Sequence, residues 1–378
     1  MANNTTAAKS KGRILVDWLT TTDHKKIGYL YLITSVIYFV IAGVMALVIR
    51  AQLAAPGLEI VASKEQYNQL FTMHGTIMLL MFATPLFAAF ANILMPVQIG
   101  APDVAFPRLN AIAYWFYFFG SFIAVAGFFT PQGAASFGWF AYAPLSNTTF
   151  SPGIGGDLWV FGLALSGFGT IMGGVNFITT ILTMRAPGMT MHKVPLFAWS
   201  IFVTSWLILL ALPVLAGAIT MLLTDRNFGT SFFVPSAGGD PVLFQHLFWF
   251  YSHPAVYIMI LPGMGAISEI IACFSRKRVF GYSFVAFSSM AIAVLGFMVW
   301  GHHMFTAGMS SLTTIIFSAL TFTVSVPSAI KVFNWLATMY KGSISLTTPM
   351  CYALSFIFLF TIGGLTGLHL GTLATDMH

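Results

Sequence analysis

Three histidines are the residues whose types and spacing best suit a metal site. His253 lies in the apolar stretch FYSHPAVYI, and His302 and His303 are adjacent in GHHMFTAGM. Neighbouring residues of a helix point about 100° apart, so the adjacent pair needs an imidazole from another helix to complete a three-nitrogen site. Imidazole nitrogens suit copper, zinc, iron and nickel. The alternative is three separate buried histidines, each satisfied by its own hydrogen bond.

A tyrosine accompanies the first of these histidines. Tyr257 follows His253 by four residues, so the two side chains share one face of a helix. A phenol beside a metal-bound imidazole can give both a proton and an electron. Pro254 leaves the carbonyl of Phe250 without its backbone donor and bends the helix at this point. An ordinary buried tyrosine is the alternative interpretation of Tyr257.

Other ionisable residues also lie in apolar segments, where a charged side chain costs about 2.5–3.5 kcal/mol at the centre of a membrane helix, and His74 and Lys331 are the candidates for a function. His74 precedes Gly75, which allows a bulky group to approach closely, so a ligand role competes with that of a hydrogen-bonded core histidine. Lys331 lies one turn from Ser328. A buried lysine changes protonation state readily, so Lys331 is a candidate proton carrier, unless its side chain extends to the inner surface.

Polar residues also gather around the segment QIGAPDVAFPRLN. Asp103 lies within this segment, Asn110 ends it, and Asn92 and Asn176 lie in apolar segments with few other polar groups. A carboxylate that leads to a line of amides predicts a water-filled proton path from the inner side. The alternative is that Asn110 caps the helix that follows.

The elements that must position these residues are membrane helices. Of the 378 residues, 58% are hydrophobic and only 7% are charged, whereas soluble domains have about 25% charged residues. A spanning helix needs about 20 mostly apolar residues, so we predict an all-α, polytopic membrane helix bundle. Nine spans are predicted, at 27–51, 68–96, 109–130, 157–184, 195–222, 242–273, 280–301, 310–340 and 347–371.

The distribution of basic residues predicts the orientation. With the N-terminus on the cytoplasmic side, most of the 16 lysines and arginines fall in inner segments, and Arg50, Lys64 and Arg226 fall outside. We therefore predict a cytoplasmic N-terminal segment at 1–26, which includes Lys9, a transmembrane domain at 27–371 and an outer-side end at 372–378. The basic excess is a topology signal and gives little support to nucleic-acid binding.

Six motifs together resemble the catalytic subunit I of haem–copper oxygen reductases, the cytochrome c oxidase family. They are TMHGTIM, IGAPDVAFPRLN, NFITTILTMRAPGM, LFQHLFWFYSHPAVYI, GHHMFTAGM and VPSAIKVFNWLATM, and they occur in the family order over essentially the whole chain. The resemblance implies reduction of O2 to water with electrons from cytochrome c, coupled to proton pumping. It also implies two haems of the A type and one copper ion.

The resemblance assigns roles to residues at matching positions. His253, His302 and His303 resemble the ligands of the active-site copper, with Tyr257 as the tyrosine cross-linked to His253. His74 resembles one axial ligand of the low-spin haem. Arg50, Tyr67 and Trp139 match residues that contact a haem, and Trp249 matches a tryptophan packed against the copper site. The remaining matches belong to two proton pathways. One pathway contains Lys331 and Ser328, and the other contains Asp103, Asn92, Asn110 and Asn176.

One departure from the family pattern concerns a carboxylate. Many members have glutamate two residues after the copper-binding histidine, where this chain has Ala255. A subgroup carries Tyr-Ser before that histidine instead, and here these residues are Tyr251 and Ser252. They precede Ala255 by four and three residues, so both can cover the same patch of the helix. We therefore predict a hydroxyl-based proton relay.

A second departure concerns the C-terminus. The family's His-Asp-Thr-Tyr motif and a following cluster of histidines would come just beyond His378, with three further spans. They hold the outer magnesium, the ligand of the active-site haem and the second ligand of the low-spin haem. The sequence thus predicts a C-terminally incomplete subunit with nine of twelve spans, inactive alone.

The resemblance also implies partners and a location. The partners are a subunit II with a dinuclear copper centre, a subunit III, cytochrome c, O2 and membrane lipid, and the location is the plasma membrane. Three alternatives stay open at this point. They are a nitric oxide reductase-like enzyme with non-haem iron, a transporter or channel with structural histidines, and a non-catalytic remnant.

Overall fold

The computed structural model describes residues 11–376, and every regular element in that range is helical. The predictions for residues 1–10, including Lys9, and for 377–378 lie outside the described residues. The α-helices are α1 Lys11–Leu19, α2 His24–Gln52, α3 Lys64–Thr76, α4 Thr84–Ile99, α5 Pro107–Ala126, α6 Ile154–Thr183, α7 Leu196–Asn227, α8 Pro241–Phe274, α9 Tyr282–Gly296, α10 Ser311–Thr323, α11 Ser325–Met339, α12 Thr348–Leu370 and α13 Leu373–Asp376.

The predicted membrane helix bundle is confirmed, with a smaller number of full-length spans. Within residues 11–376, eight helical segments are long and apolar enough to cross a membrane. The exception is the predicted span at 280–301, because its helix α9 ends at Gly296 after 15 residues. A separate 3₁₀ turn, Trp300–Met304, follows it. The adjacent histidines therefore do not lie on the seventh span, as the sequence predicted, but on this turn.

Two predicted spans contain interruptions that prolines explain. The span that joins α3 and α4 passes through a π-helical segment, Ile77–Ala83, just before Pro85. The span predicted at 310–340 consists of α10 and α11, which meet at Val324. Pro327 has no N–H for the carbonyl of Thr323, which favours a break there. Both interruptions lie close to predicted functional residues.

Small residues bring α5 and α6 close together. A Cβ atom on Gly120 of α5 would lie 2.6 Å from the carbonyl oxygen of Gly162 on α6. Such close approach is typical of membrane helices, whose association depends on packing rather than on a hydrophobic effect.

A buried arginine ties the segment between α5 and α6 to the bundle. The guanidinium of Arg226, at the end of α7, donates to both carboxylate oxygens of Asp157 and to the carbonyls of Ser146, Ser151 and Gly153. The side chain of Arg226 is 0% exposed. This clamp holds the 130–153 segment, which carries Trp139 and Tyr142, over one end of α8.

Candidate functional site

The structure brings the three predicted metal-binding histidines together. His253 comes from α8, and His302 and His303 come from the 3₁₀ turn. Nδ1 of His253 lies 3.1 Å from Nε2 of His303, and Nε2 of His302 lies 3.1 Å from the same atom. The candidate ligand atoms of the three residues all lie within 4.8 Å of one another.

These distances suit a single transition-metal ion. Three imidazole nitrogens that each lie about 2.0–2.1 Å from an ion are separated from one another by roughly 3.3–3.6 Å. A hydrogen bond to Thr321 also orients the imidazole ring of His302. The hydroxyl of Thr321 donates to the carbonyl of Phe317, so its oxygen accepts from Nδ1 of His302 at 3.0 Å. Nε2 of His302 then keeps its lone pair for a metal.

Aromatic rings close one side of the cluster. Trp249 stacks on His303 with ring centroids 3.8 Å apart and planes 9° apart, and Trp139 meets Trp249 edge to face at 5.9 Å. The indole N–H of Trp249 donates to the hydroxyl of Tyr142. Burial raises the pKa of Tyr142, and the bond from Trp249 opposes that shift. Trp249 therefore lies where the sequence predicted, against the histidines.

Tyr257 lies beside His253, as their spacing predicted. The two ring centroids are 4.7 Å apart, with planes at 71°. Nε2 of His253 is buried and has no hydrogen-bond partner within residues 11–376. Gly296 leaves room for the phenol, since a Cβ atom there would lie 2.6 Å from Cδ2 of Tyr257.

His74 lies on α3 with one ring nitrogen already engaged. Its Nδ1 is 2.9 Å from the carbonyl oxygen of Ala42 on α2. A metal-binding histidine commonly donates its second nitrogen to a carbonyl in this way, which fixes the ring and leaves Nε2 available. Arg50 is exposed near the end of α2, and Tyr67 is half-buried at the start of α3, so both lie towards the same end of the bundle.

Lys331 is buried and has two partners that the sequence did not indicate. Its Nζ donates to the hydroxyl of Ser289 at 2.7 Å and to the carbonyl of Val285 at 3.1 Å, both on α9. Ser328, the partner suggested by spacing, instead donates to the carbonyl of Val324. The side chain of Lys331 is thus held inside the bundle, which argues against extension to the surface.

The predicted amides fall into two groups. Nδ2 of Asn110 donates to Oδ1 of Asn92 at 2.6 Å. Asn176 is separate, because its amide pairs with both the N–H and the carbonyl of Phe106. The alternative in which Asn110 caps a helix is wrong, since α5 begins at Pro107 with Phe106 in the capping position.

Asp103 lies in the loop between α4 and α5. Its Oδ1 accepts the N–H of Val104 at 2.7 Å. Burial raises the pKa of the Asp103 carboxyl, and the Val104 bond and the nearby His24 partly offset that rise. The amide pair and the loop are close along the chain, but no hydrogen bond among the described residues joins Asp103 to Asn92 or Asn110.

A small cavity continues from the amide pair into the bundle. It has a volume of about 50 Å³ and reaches from Asn92 and Asn110 to Ile258 and Pro262 on α8. Because a water molecule needs roughly 10–15 Å³ of such space, the cavity can hold water. Thr170, Thr204 and Ser205 supply hydroxyls along its wall.

Tyr251 and Ser252 are both buried on α8, beside the buried Ala255. The hydroxyl oxygen of Ser252 has no hydrogen-bond partner within the described part of the chain. An unsatisfied buried hydroxyl is uncommon and needs an explanation. Both residues are therefore buried in the bundle, and the proton relay through their hydroxyls stays a prediction.

Several contributing residues were missed because their partners come from other helices. Thr321, Ser289 and Tyr142 contact His302, Lys331 and Trp249 across gaps of 19, 42 and 107 residues. Serine, threonine and tyrosine are common in membrane helices, so no local pattern distinguished these three. Only the packing of the helices shows which hydroxyls face the site.

Comparison with known proteins places this fold and site in one family. Residues 26–378 match the family described as Cytochrome C and Quinol oxidase polypeptide I, and the chain belongs to that family. The probable cytochrome c oxidase subunit 1-alpha of Streptomyces coelicolor is 60% identical over 98% of this chain and 63% of its own length. The cytochrome c oxidase subunit 1 of Cereibacter sphaeroides is 49% identical over 96% of this chain and 69% of its own length.

A solved structure supports the fold. A heme-copper terminal oxidase dimer studied by cryo-EM is similar with a TM-score of 0.77 at 21% identity, over 94% of this chain and 62% of that chain. The chain spans about 63% of the length of the Streptomyces relative. The family and the membrane helix bundle are thus established for this chain.

Proposed function

We propose that this chain is the part of a respiratory oxidase subunit I that holds the copper site, one ligand of the low-spin haem and both proton pathways. The enzyme reduces O2 to water with electrons from cytochrome c and pumps protons. The observation that carries the proposal is the cluster of His253, His302 and His303, supported by relatives named as cytochrome c oxidase subunit 1.

The copper fits this cluster by its donor set. Three neutral imidazoles suit copper, and Nε2 of His302 is directed to the ion by the bond from its Nδ1 to Thr321. The copper would bind O2 and help to reduce it. Tyr257 supplies a phenol proton close to His253, and the unpartnered Nε2 of His253 agrees with the cross-link that the family resemblance implies.

A haem fits the space beside Tyr257. An open cavity of about 540 Å³ is lined by Tyr257, Thr321, Ser328, Val332 and Phe360, among others. That volume lies in the range of cofactor sites. His74 would hold the second, low-spin haem through Nε2, because Nδ1 is engaged with Ala42. The haem type, and the remaining haem and magnesium ligands, belong to the proposal only through the family resemblance.

Lys331 is proposed as a proton carrier towards the cavity beside Tyr257. Its Nζ donates to Ser289 and to a backbone carbonyl, and Ser328 of the same helix lines the cavity. A buried lysine changes its protonation state more readily than an exposed one. Lys331 is thus buried inside the bundle, on the same helix as a residue that lines the cavity.

The second proposed pathway begins at Asp103 and continues through the amides. Asn92 and Asn110 form a bonded pair at the wall of a cavity that can hold water and that extends to α8. Asn176 holds the Phe106 backbone and so positions the loop that carries Asp103. These contacts support proton uptake from the side predicted to be cytoplasmic.

Tyr251 and Ser252 are proposed to complete this pathway in place of a glutamate. Both are buried, and the Ser252 hydroxyl is unsatisfied. In the assembled oxidase, Tyr251→Phe with Ser252→Ala should remove proton pumping, measured as acidification outside vesicles. Unchanged pumping in the double variant would refute the relay.

The partners and location follow from the same proposal. Subunit II with a dinuclear copper centre delivers electrons from cytochrome c, subunit III completes the assembly, and lipid surrounds it. The N-terminus lies on the cytoplasmic side of the plasma membrane.

The experiment is expression of the chain with the rest of the oxidase and purification of the assembly. Reduced cytochrome c should drive O2 uptake, and Lys331→Met should lower the rate about 100-fold or more, as loss of a proton carrier does. The control is Lys341→Met, which changes an exposed lysine. An assembly with its haems bound that consumes no O2 would refute the proposed function.

A further inference from the structure

A π-helical segment separates two predicted functional residues of one membrane span. Ile77–Ala83 lies between His74 on α3 and Asn92 on α4. π-helical turns are rare and are frequently found at functional sites. Pro85, in the first turn of α4, has no N–H to donate to the carbonyl of Met81, four residues earlier. A backbone donor is therefore missing near the C-terminal end of the segment, at the carbonyl of Met81.

A phenol from another helix supplies a donor at this position. The hydroxyl of Tyr117 on α5 donates to the carbonyl of Met81 at 2.7 Å. Met81 is 1% exposed and Tyr117 is 2% exposed, so the bond is shielded from bulk solvent. A second side chain also donates to a carbonyl of this segment. The hydroxyl of Thr84 donates to the carbonyl of Leu79 at 3.2 Å.

The ring of Tyr117 is held in place. It stacks on Tyr31 of α2 with centroids 5.3 Å apart and planes 20° apart. The same side chain lines the cavity that includes Asn92 and Asn110. Tyr117 thus connects three spans, and its hydroxyl is the atom that contacts the π-helical segment.

We propose that Tyr117 is a positioning residue, whose hydroxyl replaces the donor that Pro85 lacks and holds the π-helical segment so that His74 is directed at its haem. The second half of this statement rests on the proposed function, in which His74 binds the low-spin haem. The first half concerns contacts within this chain alone. The two halves can be tested separately.

The first test is hydrogen–deuterium exchange in the purified assembly. Tyr117→Phe removes only the hydroxyl, so amides in residues 77–88 should exchange about two- to tenfold faster, as expected for loss of one hydrogen bond. Tyr114→Phe is the matched control, because its hydroxyl pairs with Thr34 on α2 rather than with the π-helical segment. Equal exchange in Tyr117→Phe and the unchanged protein, or an equal increase in both variants, would overturn the proposal.

The second test is rescue. Pro85→Ala restores an N–H that can donate to the Met81 carbonyl, so Tyr117→Phe should have a smaller effect in that background than in the unchanged protein. An equal effect in both backgrounds would show that Tyr117 does not substitute for the missing donor. The comparison of the two single tyrosine variants stands even if Pro85→Ala fails to assemble.

The third test separates this inference from the proposed function. The absorbance band of the low-spin haem should shift in Tyr117→Phe and not in Tyr114→Phe. A band that stays unchanged while exchange becomes faster would overturn the positioning of His74. Absence of any low-spin haem in the unchanged assembly would refute the proposed function instead, while the exchange test still decides the contact with Met81.

Discussion

Two clusters of polar side chains in this protein differ in how completely their atoms are satisfied. Arg226 directs its guanidinium donors to Asp157 and to three carbonyls. In the cluster of His253, His302 and His303, Nε2 of His303 instead lies 3.1 Å from a ring nitrogen of each of the other two. The first cluster needs no further group, whereas the second has the geometry of a ligand site.

The difference separates structural from functional polar groups in this membrane protein. A buried charge is tolerated when it is paired and hydrogen-bonded, which describes Arg226. Three imidazoles whose candidate ligand nitrogens all lie within 4.8 Å of one another are explained by a metal ion. The two clusters should therefore respond to mutation in opposite ways, one through stability and the other through metal binding.

The largest expected effect comes from removing one ligand of the cluster. His303→Ala leaves two imidazoles and should lower O2 uptake by the assembled oxidase by at least about 1,000-fold, the scale of losing a catalytic group. His246→Ala is the matched control, because it removes an imidazole of α8 that lies outside the cluster and bonds Trp300. Substantial O2 uptake by His303→Ala would contradict the functional role of the histidine cluster, and with it the difference from the Arg226 cluster.

Breaking the clamp should cost stability without loss of copper. Arg226→Gln leaves Asp157 without its charge partner and should destabilise the fold by about 3–5 kcal/mol, which a lower midpoint of thermal inactivation would report. Asn227→Ala is the control, since that exposed amide also donates to Asp157, at 2.8 Å. Loss of copper from Arg226→Gln with an unchanged midpoint would contradict the structural role of the clamp.

A smaller effect is expected from the residue that orients His302. Thr321→Val removes the hydroxyl that accepts from Nδ1 and should weaken copper retention about 10–100-fold, measured by titration with a chelator. Thr323→Val serves as the control, because that exposed hydroxyl bonds only the carbonyl of Leu320 among the described residues. Equal copper retention in both variants would show that Thr321 does not orient His302 for copper binding.

The smallest effect should come from the aromatic wall. Tyr142→Phe removes the acceptor of the Trp249 indole, but the stacking of Trp249 on His303 remains. Buried hydrogen bonds in membrane proteins average about 0.6 kcal/mol, so copper retention should fall by no more than about threefold. If copper retention fell as much as in Thr321→Val, the aromatic side chains of Trp249 and Tyr142, rather than the histidines, would determine the geometry of the copper site.

The fold class and the residues of the site were easier to predict from the sequence than the exact ends of the helices and the contacts around the site. Apolar runs of spanning length and the i, i+4 spacing of His253 and Tyr257 are local patterns, so the helices and that pair were predictable. The end of α9 at Gly296 was not, because apolar residues continue into the 3₁₀ turn. The histidine pair was therefore assigned to a helix that stops before it.

Contacts between segments that are far apart in the sequence could not be predicted from local sequence patterns. Arg226 was predicted only as an outer basic residue, and nothing in its neighbourhood indicates burial against Asp157, 69 residues away. Ser328 was the obvious neighbour of Lys331 on one helix, whereas packing presents Ser289 of α9 instead. The π-helical segment was equally unpredicted, because Pro85 is compatible with an ordinary start of a helix.

The copper content of the purified assembly tests most directly whether the three histidines form a metal centre. We expect the unchanged protein to contain one more copper per chain than His302→Ala, with the same haem content in both. The extra copper should also disappear in His253→Ala and remain in Arg226→Gln. Equal copper in the unchanged protein and in His302→Ala would contradict the claim that the three histidines form the metal centre.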